Sequence, residues 1–123
     1  MAARLVRVQS PVRLGPHSAP QPDIALLRRS PDYYRTAPAT ARDVSLVIEV
    51  ADTAVEYDRA KLPLYAEAGI PEAWIVDLQA ERLEIYRQRR GARYERTLVV
   101  QHSETVGPEA FRDVALPTAD LLG

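Results

Sequence analysis

The chain has 123 residues, of which 46% are hydrophobic and 27% charged, values typical of a globular domain rather than a disordered segment or a fibre. Its formal net charge of −1 excludes a global electrostatic attraction to nucleic acid or to an anionic membrane. The sequence has no cysteine, no apolar run of membrane-spanning length and no signal-peptide apolar block. We therefore expect one domain over residues 1–123, in the reducing cytoplasm.

The first half of the chain predicts three strands separated by loops. Residues 4–9 alternate polar and apolar side chains, as in a half-exposed strand, and the prolines and glycine of 11–22 indicate a loop. Residues 23–27 fit a short buried strand, and 28–43 a long turn. Residues 44–50 are almost continuously apolar, which is typical of a central strand covered on both faces.

A helix is predicted after this central strand. Thr53 and Glu56 match the capping-box pattern at its start, and Gly69 is placed to end it. Because Pro63 lacks a backbone N–H and clashes with the preceding turn, we expect either a kink near residues 59–63 or a helix that starts nearer Asp58. The apolar face of the helix consists of Leu62, Tyr65 and Ala66.

The second half of the chain predicts more strands. Residues 73–77 are apolar, and a strand, a helix and a strand within about thirty residues predict a right-handed crossover that makes 44–50 and 73–77 parallel. Residues 82–87 and 93–100 alternate around Arg90-Gly91, as in a hairpin at a sheet edge. The fold class is therefore α/β, a mixed sheet with one crossover helix.

The tail from Gln101 onwards predicts a loop, a short strand near Phe111 and a helical turn over 118–122.

Three ionisable residues stand out by their positions: Asp23 begins a strand, Glu49 lies near the end of the central strand, and Lys61 is on the helix. If the two strands are neighbours, the carboxylates meet at one end of the sheet and repel each other unless a cation is shared. Hard oxygen ligands favour Mg²⁺ or Mn²⁺, and a nearby ammonium can orient water or stabilise charge on a phosphate. The pattern predicts metal-assisted phosphodiester hydrolysis.

Each of these residues also has an ordinary structural interpretation. Asp23 is also consistent with a turn residue at the start of a strand. Glu49 is also consistent with a strand-end carboxylate that is hydrogen-bonded to a neighbouring loop. Lys61, the only lysine, also fits a solvated residue paired with Asp58 or Glu56. Asp58 itself is expected to cap the helix or to form an ion pair rather than to bind a metal.

Other conspicuous side chains are assigned to packing, turns or the surface. Trp74, Tyr65 and Ile75 are expected in the core, and Asp77 in a turn. The two histidines lack a second ligand at metal-binding spacing and are expected on the surface. A run of arginines fits either contacts to a phosphate backbone or a solvated edge that blocks sheet pairing, and consists of Arg87, Arg89, Arg90, Arg93 and Arg96.

Several segments resemble a known family. Pro22-Asp23 followed by Glu49-Val50-Ala51 resembles the PD-(D/E)XK nuclease signature. From about Val6 to Leu122 the chain is similar to the Uma2 family of restriction-endonuclease-like proteins. The segments that carry this resemblance are ProAspIleAlaLeu, LeuValIleGluValAla, TyrAspArgAlaLys, LeuTyrAlaGluAlaGlyIlePro and GluAlaTrpIleValAsp.

The resemblance implies a restriction-endonuclease-like fold and Mg²⁺- or Mn²⁺-dependent hydrolysis of DNA by metal-activated water. It makes Asp23 and Glu49 metal ligands, with the backbone carbonyl of Val50 as a third. The lysine of the signature would fall at position 51, which is Ala51 here, and Lys61 would supply the ammonium from the helix.

Two departures from the family pattern keep other hypotheses open. Asp58 and Lys61 are three residues apart instead of four, and one missing residue turns a helix by about 100°. We also expect the N-terminal helical layer usual in the family to be missing, which would leave one sheet face bare and favour a homodimer. The second hypothesis is a catalytically silent, shortened module for dimerisation or DNA binding, and the third a structural protein without a nucleic-acid role.

Overall fold

The computed structural model describes residues 4–8, 23–28, 41–101, 105–106 and 116–117. The strands are β1 Arg4–Val8, β2 Ile24–Arg28, β3 Val44–Ala51, β4 Ala73–Asp77, β5 Arg82–Arg90, β6 Arg93–Gln101, β7 Thr105–Val106 and β8 Leu116–Pro117. A short 3-10 helix, Ala41–Asp43, precedes β3, and the helices α1 Val55–Arg59 and α2 Leu62–Glu67 follow it. The loop predicted at 11–22, the strand near Phe111 and the turn at 118–122 lie outside the described residues.

The six long strands form one mixed sheet in chain order, β1-β2-β3-β4-β5-β6, and β7 pairs with β8 separately. Neighbouring strands in the long sheet are antiparallel except β3 and β4, which are parallel. The helices α1 and α2 lie between β3 and β4 in the chain, as the predicted crossover requires. The α/β fold, the crossover and the terminal hairpin are therefore confirmed.

Side chains on both faces of the central strands are buried. One face packs with the helices and contributes Val47 and Ala73, beside Tyr65 and Ile70. The opposite face carries Leu46, Ile48, Trp74, Val76, Leu83 and Ile85, none more than 5% exposed. Trp74, Tyr65 and Ile75 are all in the core, as predicted. The expectation of a bare sheet face is wrong for these strands, because apolar side chains on both their faces are removed from solvent.

The predicted helix is bent where the sequence indicates. Its first part ends at Arg59 and its second begins at Leu62, with Pro63 in the first turn of the second part. A proline is tolerated there because the N–H it lacks has no partner within the helix. The capping box is wrong: the N-cap is Ala54, without a side-chain cap. The carboxylate of Glu56 is instead paired with the guanidinium of Arg59.

Gly69 ends α2 in a Schellman motif, as the sequence predicts. Its N–H donates to the carbonyl of Ala66 (3.0 Å), and the N–H of Ile70 donates to the carbonyl of Tyr65 (3.1 Å). The Gly69 φ is 92°, in the left-handed region that favours glycine. This turn directs the chain from α2 into β4.

The variant Gly69→Ala is expected to lower the free energy of unfolding by about 1 kcal/mol. A Cβ at this position meets no heavy atom within 4 Å, so the cost arises from the positive φ and not from a steric clash. Urea denaturation measures it, and Gly69→Asn, which tolerates this backbone conformation better, should recover part of the loss. An alanine variant as stable as the wild type contradicts this account of the turn.

Candidate functional site

The antiparallel pairing of β2 with β3 brings the two predicted carboxylates together. Ile24 is the partner of Ile48, and continuing this register by one residue places Asp23 opposite Glu49. The N–H of Asp23 donates to Glu49 Oε1 (3.0 Å), and the N–H of Val50 donates to Asp23 Oδ2 (2.7 Å). The backbone of each strand therefore holds the carboxylate of the other at the same end of the sheet.

Lys61 joins this carboxylate pair from the bend between α1 and α2. Its Nζ lies 2.8 Å from Glu49 Oε2 and 3.5 Å from Asp58 Oδ1. Lys61 is the N-cap of α2, so the three-residue spacing from Asp58 falls across the bend rather than along one continuous helix. Burial lowers the pKa of Lys61, but the hydrogen bond to Glu49 and the attraction of Glu49 and Asp58 outweigh it and raise that pKa. The ammonium is therefore charged at physiological pH.

The hydroxyl of Tyr65 is a site group that the sequence interpretation missed. It donates to Glu49 Oε2 at 3.0 Å, the same oxygen that Lys61 contacts. Burial, followed by the charge of Glu49, raises the pKa of Tyr65, which keeps its hydroxyl protonated as a donor. Lys61 and Tyr65 are four residues apart and so point to the same side of a helix, a spacing that was available in the sequence.

The variant Tyr65→Phe is expected to lower the free energy of unfolding by about 2 kcal/mol, because it removes a buried hydrogen bond to a charged acceptor. Thermal or urea unfolding at neutral pH measures this. The matched control is Tyr57→Phe, because the Tyr57 ring is exposed. Equal losses for the two variants contradict the assigned hydrogen bond.

Asp58 is an ion-pair partner, as the sequence interpretation expects. It is buried, and burial, followed by the charge of Glu49, raises its pKa more than Lys61 lowers it. Among the described residues, no group of three or more histidine, cysteine, aspartate or glutamate side chains is arranged to hold a metal ion. Asp23, Glu49, Asp58 and Lys61 together carry a formal charge of −2, which favours a divalent cation nearby.

Asp23, Glu49 and the carbonyl of Val50 are the groups at this end of the sheet that could hold a hard divalent cation. Among described groups, Asp23 Oδ1 has no hydrogen-bond donor, whereas Lys61 and Tyr65 both donate to Glu49 Oε2. Val47 and Ala51 bond towards the β4 side, whereas the N–H of Val50 donates to Asp23 on the β2 side. The N–H and carbonyl of a strand residue point to the same side, so the carbonyl of Val50 is expected towards β2. Two carboxylates and one carbonyl suit Mg²⁺, which normally keeps several waters among its ligands.

A second buried carboxylate network lies beside the first on the helix-facing side of the sheet. The register aligns Glu49, Ile75 and Glu84 in one row across β3, β4 and β5. Arg59 donates two hydrogen bonds to the buried Glu84, and the hydroxyl of Tyr86 donates a third. This network attaches the end of α1 to the sheet, one residue from Asp58.

Asp77, at the end of β4, has a structural role of its own. Asp77 is the last residue of β4, and its Oδ1 accepts from the N–H of Ala80 at 3.1 Å in the turn that follows, so the turn role expected for its side chain is confirmed. His17 and His102 lie outside the described residues. In the part of the chain that the structure describes, no helix has the length and apolar character needed to span a membrane.

Comparison with known families agrees with this architecture. The model of the Uma2 family, described as "Putative restriction endonuclease", matches residues 2–119. The chain belongs to the Uma2 family. No curated protein matches this Uma2 chain.

Among solved structures, the Uma2 chain is similar to "a putative nuclease belonging to DUF820 from Anabaena variabilis ATCC 29413". The TM-score is 0.70 at 16% sequence identity, and the match covers 97% of this chain and 68% of the other. At this identity the likeness establishes the fold alone.

Proposed function

We propose that this Uma2 protein is a Mg²⁺- or Mn²⁺-dependent endonuclease that hydrolyses phosphodiester bonds in DNA. The observation that carries the proposal is the meeting of Asp23 and Glu49 at one end of the sheet, with the Nζ of Lys61 2.8 Å from Glu49. The family description and the fold of the structural neighbour support a nuclease-like function.

Asp23, Glu49 and the carbonyl of Val50 would hold the divalent cation, with water in its remaining positions. A cation bound there supplies an activated water and offsets negative charge on the phosphate. The N–H of Val50 and the N–H of Asp23 each hold a carboxylate oxygen, so the backbone orients both proposed ligands.

Lys61 and Tyr65 orient the buried carboxylate of Glu49. Both donate to Oε2, while Oε1 lies on the Asp23 side. The ammonium of Lys61 also places a fixed positive charge beside the carboxylates, where it attracts a phosphate oxygen and stabilises charge that develops on it. A neutral group at position 61 would leave the repulsion between the carboxylates and the DNA unopposed.

Plasmid nicking in Mg²⁺ or Mn²⁺ tests the proposal. The wild type is expected to nick supercoiled DNA, EDTA to abolish nicking, and Asp23→Ala and Glu49→Ala to be inactive. Asp77→Asn is the matched control, because Asp77 is also a buried carboxylate at the end of a central strand but is bonded in a turn. Equal, EDTA-insensitive traces from all variants reject the proposal.

Calorimetry separates this function from a catalytically silent module. The enzyme is expected to bind Mn²⁺ in a way that Asp23→Ala abolishes and Asp77→Asn preserves. A protein that binds DNA but shows no carboxylate-dependent Mn²⁺ binding is the silent module. The homodimer expected from the sequence stays a prediction, which the oligomeric state in solution tests.

A further inference from the structure

The β5–β6 hairpin continues past its pairing with β4 as a two-stranded ribbon rich in arginine. Tyr86 is the last β5 residue in register with β4, opposite Ala73. Residues 87–96, here called the arginine ribbon, contain five arginines and one glutamate, a formal charge of +4. Since the whole chain carries −1, the rest of it carries −5, and the ribbon is a strongly positive region on an otherwise acidic chain.

Like charges face each other across this ribbon. Arg87 is the cross-strand partner of Arg96, and Arg90 is the partner of Arg93. Like charges directly opposite each other destabilise a strand pair. Glu95 lies 3.7 Å from Arg90 and 4.0 Å from Arg93, so one carboxylate serves two guanidiniums. An external anion that contacts the guanidiniums of both Arg90 and Arg93 would relieve the repulsion that remains between them.

The ribbon is fixed against the body of the protein. The side chain of Arg89 donates to the carbonyl of Ala66 at 3.0 Å, and the hydroxyl of Tyr94 donates to the carbonyl of Ile70 at 2.7 Å. Gln88 has a φ of 58°, in the region that favours glycine, just beyond the last pairing of β5 with β4. A ribbon held in this way loses little conformational entropy when it binds a partner.

The arginines divide into anchoring and exposed groups. Arg87 is mostly buried, and its Nε donates to the buried carboxylate of Glu72 at 2.8 Å. The side chains of Arg90 and Arg93 are 76% and 75% exposed, and Arg96 is exposed as well. Three guanidiniums therefore face solvent on a rigid support. The sequence also allowed the arginines to be a solvated edge that blocks sheet pairing. Arg87 does not fit that interpretation, because it is mostly buried and paired with Glu72.

We propose that the arginine ribbon binds the phosphate backbone of the duplex that the carboxylate site cleaves, an assignment that rests on the proposed function. Guanidinium groups form charge-assisted, bidentate hydrogen bonds with phosphate oxygens. A two-stranded ribbon also has the width that the major groove of DNA admits. The contacts are to phosphates, which position the protein on the duplex without reading its sequence.

The distance between ribbon and site is compatible with one duplex. Glu84 lies in the same row of the sheet as Glu49, and Arg90 is six residues further along the same strand. At the rise of a β-strand this corresponds to about 20 Å along β5, and the two strand spacings between Glu49 and Glu84 bring the distance from Glu49 to about 22 Å. That length is about six base pairs of B-DNA, so one duplex is long enough to contact both.

Fluorescence anisotropy with a labelled duplex of about 20 base pairs, in EDTA and over a series of NaCl concentrations, tests the proposal without cleavage. The double variant Arg90→Gln/Arg93→Gln is expected to weaken binding by about tenfold, and to reduce the slope of log K against log salt by about two. The variant Arg96→Gln is expected to reduce the slope by about one.

Glu95→Gln provides a control of opposite sign on the same ribbon. It removes the carboxylate that Arg90 and Arg93 share, so binding should become tighter. The matched control is Glu81→Gln, which removes an equal exposed charge from the turn at the other end of β5 and should change binding less. Circular dichroism and thermal unfolding check that each variant is folded.

Three outcomes overturn the proposal. They are an unchanged salt slope in the double arginine variant, weaker binding in Glu95→Gln, and binding to phosphatidylserine vesicles without binding to the duplex. The experiments also distinguish a wrong proposal about DNA binding by the arginine ribbon from a wrong proposal about the nuclease function. A protein that nicks plasmid but binds DNA equally well without Arg90 and Arg93 refutes the ribbon alone. Ribbon-dependent binding without metal-dependent nicking refutes the nuclease alone.

Discussion

The variant Glu49→Gln is expected to lower the rate of metal-dependent plasmid nicking by at least about 100-fold, because it replaces a proposed metal ligand by a neutral amide. The amide keeps an oxygen that accepts from the N–H of Asp23, so the backbone contact between β2 and β3 is retained. The measurement is the initial nicking rate in Mg²⁺, with Mn²⁺ binding by calorimetry as a second readout.

A second substitution separates this loss of activity from a loss of stability. In Glu49→Gln the largely buried ammonium of Lys61 retains only Asp58 as a charged partner, which destabilises the fold. The double variant Glu49→Gln/Lys61→Met removes the uncompensated charge and is expected to regain stability without regaining the Mn²⁺ binding lost in Glu49→Gln. Mn²⁺ binding is the readout because Lys61 is itself proposed to act in catalysis but not to bind the cation. If Mn²⁺ binding returns together with stability, Glu49 is a structural residue and not a ligand.

The variant Glu84→Gln is expected to lower the free energy of unfolding at neutral pH by about 3 kcal/mol, because it breaks a buried ion pair. Glu84 accepts hydrogen bonds from Arg59 and Tyr86, and Arg82 lies 3.7 Å away. Burial raises the pKa of Glu84, but the hydrogen bonds from Arg59 and Tyr86 and the attraction of the arginines outweigh it and lower that pKa. Urea denaturation measures the loss.

The stability that Glu84→Gln loses is expected to be largest at neutral pH and to shrink in acid. Because the pKa of Glu84 in the folded protein is below its ordinary value of 4.5, its contribution is complete above that value and is lost as the pH falls through the lower, folded pKa. The difference between wild type and Glu84→Gln should therefore be full at pH 7 and shrink in acid. Glu81→Gln, at an exposed turn, should show no such difference at either pH. A loss that persists unchanged in acid contradicts the ion-pair account.

The strands and the bend of the helix were predictable because their signals are local. The apolar run of 44–50, the alternation around Arg90-Gly91, and Pro63 and Gly69 each act through neighbouring residues or backbone dihedrals. The capping box failed although its signal is also local, because Glu56 has a competing partner three residues further along the same helix. The helix begins after Ala54, and the carboxylate of Glu56 pairs with Arg59 instead of capping.

The buried polar networks could not be predicted as readily from the sequence. Nothing in the order of residues indicates that Tyr65 shares an oxygen of Glu49 with Lys61, although their four-residue spacing was a signal. The bonds from Arg59 to Glu84 join residues 25 positions apart and depend on how α1 packs over β5. Such pairs are decided by the docking of the helices on the sheet.

By itself the sequence determined the six strands of the long sheet and the bent helix, their order, and the three ionisable residues on which a nuclease site would depend. It did not predict the short strands β7 and β8 or the 3-10 helix before β3. Periodicity and backbone propensity are properties of short segments, so they can be inferred without coordinates. Only the tertiary structure decided that Asp23 stands opposite Glu49, that Lys61 reaches them from a bend, and that three arginines face solvent at the far end of a hairpin. The physical reason is that strand register and helix docking arise from packing between distant segments. A shift of one residue in the register of β3 would turn Glu49 to the other face of the sheet.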